Sequence, residues 1–366
     1  MKREHVLTIA LGGALGLAIA AWSLAGPLDP PAGPVAPTYK TLSEVEPRTS
    51  INSLPGNTNA VHVISQPGSY YLTGNVLPVA GKSGIAISAS PVVVDLNGFT
   101  VQSGDHGIVA DAVGGMVTIR NGSVAENARD GINASAGPVS VLIDSVHAKA
   151  NGQAGIRADY AVITRCIASY NGEAGITVGA GSVVTDCVAT INQGSGFFVG
   201  EASTVERCTA MFNAVNGLTA NYRVNVRGST FSRNAGRGVE VFAGCLVESC
   251  ELAENGTNQV YANNTCRIVS NMVAVGKSNP QPAILVFGRC VIENNSITRL
   301  VDLPAGIGVK ADGEHSFIGS NRVSSRFVTP FNLDPKNSWG PIINVYQAGD
   351  ISGTAGSGHP KANFIH

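Results

Sequence analysis

NGQAGIRADYAVITRCIASYNGEAGITVGAGSVVTDCVATINQGSGFF, residues 151–198, contains one short unit almost three times over. Asn151, Asn171 and Asn192 each stand four residues before a glycine, and Gly155, Gly175 and Gly196 each precede an apolar residue: Ile156, Ile176 and Phe197. Outward from this stretch the columns continue through Asn213, Asn234 and Asn255 at steps of 21. Gly217, Gly238 and Gln259 follow these, with Leu218, Val239 and Val260 behind them. A fixed period this short marks one structural unit stacked on copies of itself. The unit is too small for a helix pair, and its apolar residues alternate, as in Gly-Ile-Thr-Val (175–178) and Cys-Val-Ala-Thr (187–190). Period two, β-branched residues and intervening turns predict two or three short strands per coil. Each strand then pairs with its copy one coil away, about 4.8 Å along the axis.

Looser copies flank the regular ones. Gly84-Ile85, Gly107-Ile108 and Gly131-Ile132 precede them, and Ala283-Ile284 and Gly306-Ile307 follow. The expected fold is therefore all-β: a single right-handed parallel β-helix (solenoid) of about eleven coils. Its handedness follows the general preference of parallel crossovers. A solenoid must blunt its open ends. Residues 41–75 suit an N-terminal cap, and residues 327–366, with Trp339 and Tyr346, suit a C-terminal one. The solenoid domain is placed at 41–366.

The conserved-in-place Asn column reads as a turn ladder, because Asn tolerates left-handed backbone and its amide can bond the next coil. The seven cysteines fall into two further columns. Cys166, Cys187, Cys208 and Cys250 lie five residues before the turn Asn; Ser229 fills the vacant rung, and Asn271, Asn295 and Asn321 continue it. Cys245, Cys266 and Cys290 each stand two residues before an apolar strand position. Stacked rungs hold Cβ vectors parallel, a poor geometry for disulfides, so free buried thiols are expected.

Composition narrows the partners. The net charge is −1 with 13% charged residues, which argues against nucleic acid. Lys2, Arg3 and His5 precede an apolar run from Val6 to about Ala21, and Ser23-Leu24-Ala25 offers small residues for cleavage. Residues 1–25 thus read as a signal peptide and 26–40 as a Pro-rich linker, placing the protein in the periplasm, at the cell surface or outside the cell. A membrane attachment would come only through an uncleaved leader.

With these columns in hand, the sequence resembles the right-handed parallel β-helix repeats of the pectin-lyase-like superfamily. The opening HVISQPGSYYLTGN and VVVDLNGFTV (within 62–101) and the ending GPIINVYQAGDISGTAGSGHPKANFIH (340–366) are similar to an exported bacterial group of that superfamily. Its fold hosts lyases, hydrolases, epimerases, tailspikes and adhesins. Of the hydrolase elements Asn-Thr-Asp, Asp-Asp, Gly-His-Gly and Arg-Ile-Lys, the chain offers only Gly104-Asp105-His106-Gly107.

If each post-glycine apolar residue points inward, the coils at Gly107, Gly131 and Gly155 bring His106, Asp111, Asp130, Asn133, Arg157 and Asp159 to one exposed face. Asp111, Asp130 and Asp159 would then be candidate Ca²⁺ ligands. Arg157 and Asp130 would be candidate catalytic groups for β-elimination, and His106 and Asn133 candidate substrate contacts. A solvated polar stripe explains the same residues. Two functional readings follow: a non-catalytic shaft that binds polysaccharide or cell-surface material and needs no cofactor, or a Ca²⁺-assisted lyase acting on uronic-acid polymers. Few aromatics are available for sugar stacking, 6% of residues.

Overall fold

The computed structural model describes residues 47–79, 81–111, 114–137, 140–276, 279–300, 306–345 and 352–366. The chain divides into the units Met1–Pro47 and Arg48–His366, and the solenoid is the second. The expected signal peptide, the linker, the first residues of the N-terminal cap and Tyr346 lie outside the described residues.

Short strands stack in parallel into one sheet of 13 strands and one of 25. The smaller sheet runs from Ala60–Ile64 to Thr329–Leu333 with one strand per coil. Among the described residues the strands of this sheet therefore mark thirteen coils, not about eleven. The two extra coils lie inside the segments expected to be caps: Ala60–Ile64 pairs with Ser83–Ile87, and Thr329–Leu333 pairs with Ile307–Asp312. Their spacing departs from the central period, so periodicity alone missed them. At about 4.8 Å per coil the stack extends roughly 60 Å.

Register is strict where the repeat is strict. Ile156 pairs with Ile176, Ile176 with Phe197, Phe197 with Leu218 and Leu218 with Val239. All of these side chains are fully buried, as are Ile85, Ile108, Ile132, Val260 and Ile284 of the same column. Like stacks on like because every coil presents the same lateral position to the same interior column. Truncating one such residue to Ala would cost on the order of 2–5 kcal/mol.

The coils turn through left-handed corners, and here the structure corrects the sequence reading. The left-handed residue is the one before the ladder Asn: Ala150, Tyr170, Ile191, Phe212, Arg233 and Glu254 have φ between 53° and 58°. The Asn itself points into the core and bonds along the axis. The Nδ2 of Asn171 donates to Asn192 Oδ1 at 2.9 Å, and Asn192 does the same to Asn213 at 2.9 Å. Each Oδ1 also takes the backbone N–H of the previous Asn, and each Nδ2 also donates to a backbone carbonyl, as from Asn192 to Ala168. The column begins at Asn127, one rung earlier than expected, and ends where Gln259 Oε1 accepts from Asn255.

This ladder explains its glycine column. A Cβ on Gly196 would stand 2.7 Å from the Gly217 carbonyl oxygen and 2.9 Å from Asn213 Nδ2. The amide ladder occupies the space that any side chain would need.

The cysteine columns prove to be further ladders of the same design. Cys187 Sγ accepts the Cys166 N–H at 3.4 Å, and Ser229 Oγ accepts the Cys208 N–H at 3.0 Å. Asn271, Asn295, Asn321 and finally Asn363 take over the role. The second column runs through Ser182, Ser203, Cys245, Cys266, Cys290, Ser316 and Asn337. All seven cysteines are free and buried. Cys187 and Cys245 are thus more than apolar filler: thiol, hydroxyl and amide alternate as acceptors along these columns. Burial pushes the Cys250 thiol up to about 11.

Candidate functional site

Outward-facing residues of the 13-stranded sheet form a single central column: Val109, Asn133, Arg157, Thr177, Phe198, Thr219, Glu240, Tyr261, Leu285 and Lys310. Unlike the interior column, it changes character at every coil. Two regions of it carry chemistry.

The first holds the residues singled out from the sequence. Asp130 lies at its centre but is not on an exposed face: it is 1% exposed, and His106 is 6% exposed. Asp130 Oδ1 accepts the Ala154 N–H at 3.0 Å and Arg157 Nε at 3.4 Å, while Oδ2 accepts Asn133 Nδ2 at 3.0 Å. The Asp130 N–H donates to His106 Nδ1 at 3.3 Å, so that ring nitrogen carries no proton to offer the carboxylate 3.6 Å away. Burial holds the His106 pKa below its ordinary value despite Asp130 beside it. The ring is therefore neutral near pH 7. Arg157 extends outward from Asp130 to Glu173, 2.9 Å away.

His106, Asp130, Asn133 and Arg157 do come together, as a buried brace across three coils. Buried carboxylates need such saturation, because an unmatched one is costly to desolvate. The lone pairs of Asp130 are spent on these donors, which leaves it poorly placed to act as a base or metal ligand. Asp111 is exposed and Asp159 half-buried, and neither joins the brace. The expected Ca²⁺ set of Asp111, Asp130 and Asp159 is not assembled: among the described residues no group of three or more His, Cys, Asp or Glu side chains could hold a metal ion. Alternation correctly aimed the strand residues, but His106 and Asp130 precede the strand, where the chain is still turning inward.

The second region was missed from the sequence. Phe198, Tyr222, Phe242, Tyr261 and Phe287 supply one aromatic ring on each of five successive coils. Phe198 is 41% and Tyr222 52% exposed, and the other three are half-exposed. Tyr222 and Phe242 stand 6.0 Å apart between ring centroids, and Tyr261 and Phe287 5.4 Å. Arg237 lies 3.7 Å over the Tyr261 ring and pairs with Glu240, which also accepts from Asn216 at 2.7 Å. Arg237 and Glu240 are thus a fixed polar brace for the strip, not an isolated surface pair. Lys310 and Asp312, 2.7 Å apart, do form a simple pair.

Beside Phe198 the surface dips into an open depression of about 470 Å³, lined by Arg157, Asp159, Thr177, Gly200, Glu201 and Asn221 among others. Asp159 sits over Gly179, where a Cβ would meet its Oδ1 at 2.1 Å. Burial raises its pKa, against the lowering effect of Arg157. Phe198 and Tyr261 could have been found by reading the residue after each interior apolar position. The other three rings sit at or just beyond strand ends, where only the fold brings Tyr222 beside Phe242 and Phe287 beside Tyr261.

Comparison with known proteins agrees with this architecture. No curated protein matches the chain. Among solved structures, the A-module of the Azotobacter vinelandii mannuronan C-5 epimerase AlgE4 aligns with a TM-score of 0.52 at 16% identity, covering 75% of this chain and 89% of that one. The Dettilon tailspike protein aligns with a TM-score of 0.52 at 12% identity, covering 74% of this chain and 62% of that one. At such identities the likeness concerns the fold. The family described as "Right handed beta helix region" matches residues 59–210 and 106–246, together just over half of the sequence. With these matches and parallel coils in register among the described residues, the chain belongs to the right-handed β-helix family.

Proposed function

We propose that this protein is an exported, non-catalytic shaft that binds polysaccharide along the 13-stranded sheet. The observation carrying this reading is the aromatic strip from Phe198 to Phe287. Five rings on consecutive coils span about 19 Å at roughly 4.8 Å per coil. That rise is close to the length of one sugar residue in an extended pyranose chain, so about five sugars match the region in length, with Tyr222, Phe242 and Phe287 set to one side of the Phe198–Tyr261 column. Aromatic faces offer large apolar contact at low conformational cost, and the neighbouring Thr219, Asn216, Asn221 and Glu240 supply hydrogen-bonding groups for hydroxyls. The brace of Arg237 against Tyr261 and Glu240 pre-orders the site, which lowers the entropic cost of binding. Exposed Phe198 and Tyr222 beside three half-buried rings are also the kind of apolar patch that marks an interaction surface.

The lyase reading draws no support from Asp130, whose carboxylate is enclosed. Affinity electrophoresis of the full chain through gels containing soluble polysaccharides tests the proposal. Retardation by at least one polymer, abolished in a Phe198→Ala/Tyr261→Ala double variant that still folds, is the expected outcome. Absence of retardation across the panel, or retardation untouched by the double variant, would overturn it. Appearance of unsaturated uronate products on incubation with such polymers would replace it with the lyase reading.

A further inference from the structure

Resting on the binding reading above, we infer that the polysaccharide taken by this strip is an uncharged one, and that polyuronates are rejected. The reason is the charge of the depression into which Phe198 opens. Asp159 and Glu201 line it, and Glu173 lines the smaller dip on the other side of Phe198, against the one lining guanidinium group of Arg157.

Arg157, the cation that lines the depression, is already paired on two sides, and the exposed Arg223 beside it is paired as well. Arg157 is held between Asp130 Oδ1 at 3.4 Å and Glu173 Oε2 at 2.9 Å. Arg223 is held by Glu201. Farther along the strip, Arg237 is engaged by Glu240 and covers the Tyr261 ring. Recognition of a uronate normally needs a free, bidentate guanidinium or a bound cation, and this surface offers its guanidinium groups already paired.

Asp159 adds a repulsive element. It forms no salt bridge among the described residues and lies half-buried over Gly179, at the edge of the depression. A carboxylate with little solvent around it repels another more strongly than one in open water. It still accepts hydrogen bonds from sugar hydroxyls. Specificity of this kind arises from what the site refuses as well as from what it contacts.

The experiment compares retention of the full chain by a neutral glucan or galactomannan with retention by polygalacturonate and alginate, at low and at high salt. The expected result is binding to a neutral polymer at least roughly tenfold tighter than to either polyuronate, with the gap narrowing as salt screens the repulsion. Asp159→Asn removes the repulsion at constant shape, and Glu173→Gln releases Arg157. Both variants should raise polyuronate retention relative to neutral retention by roughly tenfold. Polyuronate retention equal to or stronger than neutral retention in the unmodified chain overturns this inference and leaves the binding reading standing. Variants that fail to move the ratio also overturn it. If no polymer is retained, both fall together.

Discussion

The inside and the outside of the same coils obey opposite rules. Inward from the strands, Ile156, Ile176, Phe197, Leu218 and Val239 form one apolar column, and Asn127 to Asn255 form one amide column. Outward from those strands, Arg157, Thr177, Phe198, Thr219 and Glu240 share nothing but register. An inward residue must match its copies above and below, because the same partner atoms recur on every coil. An outward residue meets solvent and is free to differ. Repetition therefore reports on stability, and departures from it report on function.

The largest expected effect tests the inner rule. Asn192→Ala leaves the Asn171 amide and backbone N–H and the Ala168 carbonyl without these partners, and the Asn213 Oδ1 with only the backbone N–H of residue 192. It should destabilise the protein by about 3 kcal/mol or more, read as a shift in the urea midpoint. A shift below about 1 kcal/mol would mean that water replaces the ladder.

The outer rule predicts the reverse pattern. Phe198→Ala should weaken retention on a binding polymer by about tenfold, or about 1.4 kcal/mol, while the urea midpoint stays in place. A variant that unfolds instead would show that the ring supports the fold and is not a free surface element.

The His106 brace sharpens the comparison, because it is polar yet inward. Burial keeps the His106 pKa below the unfolded value of about 6.5. The unfolded chain thus takes up a proton more readily than the folded one. Stability from this site is complete above about pH 6.5 and is lost as pH falls through that value toward the lower folded pKa. Thermal melts across this window should show the decline, and His106→Gln should flatten it.

Smaller still is the effect expected for Cys187→Ser. Ser182, Ser203 and Ser229 already serve as ladder acceptors, so a hydroxyl fits the design. A loss under about 1 kcal/mol is expected in the same urea titration. The smallest effect belongs to Arg207→Ala, which removes an exposed pair with Asp186 and should leave the Tm unresolved from that of the parent.

Much of the fold is legible because repetition is a one-dimensional signal. The Asn steps of 20 and 21, and the succession Cys250, Asn271, Asn295, Asn321, identified columns that the structure then joined by hydrogen bonds. The end coils escaped, since Ala60–Ile64 and Thr329–Leu333 lie at irregular spacing and are recognised only by their pairing. The residue in left-handed conformation was misplaced by one position, because composition favours Asn for such corners while the ladder requires that Asn point inward.

The candidate site was legible only in part. Sequence spacing brought His106, Asp130, Asn133 and Arg157 together correctly. It did not reveal that Asp130 is enclosed by donors from the next coil, because burial depends on where the turning chain closes. Likewise, the scarcity of aromatics counted against sugar binding until five of them fell on one side of the stack. What the sequence alone determined is the periodic interior, where each residue's environment is a copy of its neighbour's. What only the tertiary structure decided is the outer surface, where Tyr222 comes beside Phe242 and Phe287 beside Tyr261 through coil stacking and corner geometry.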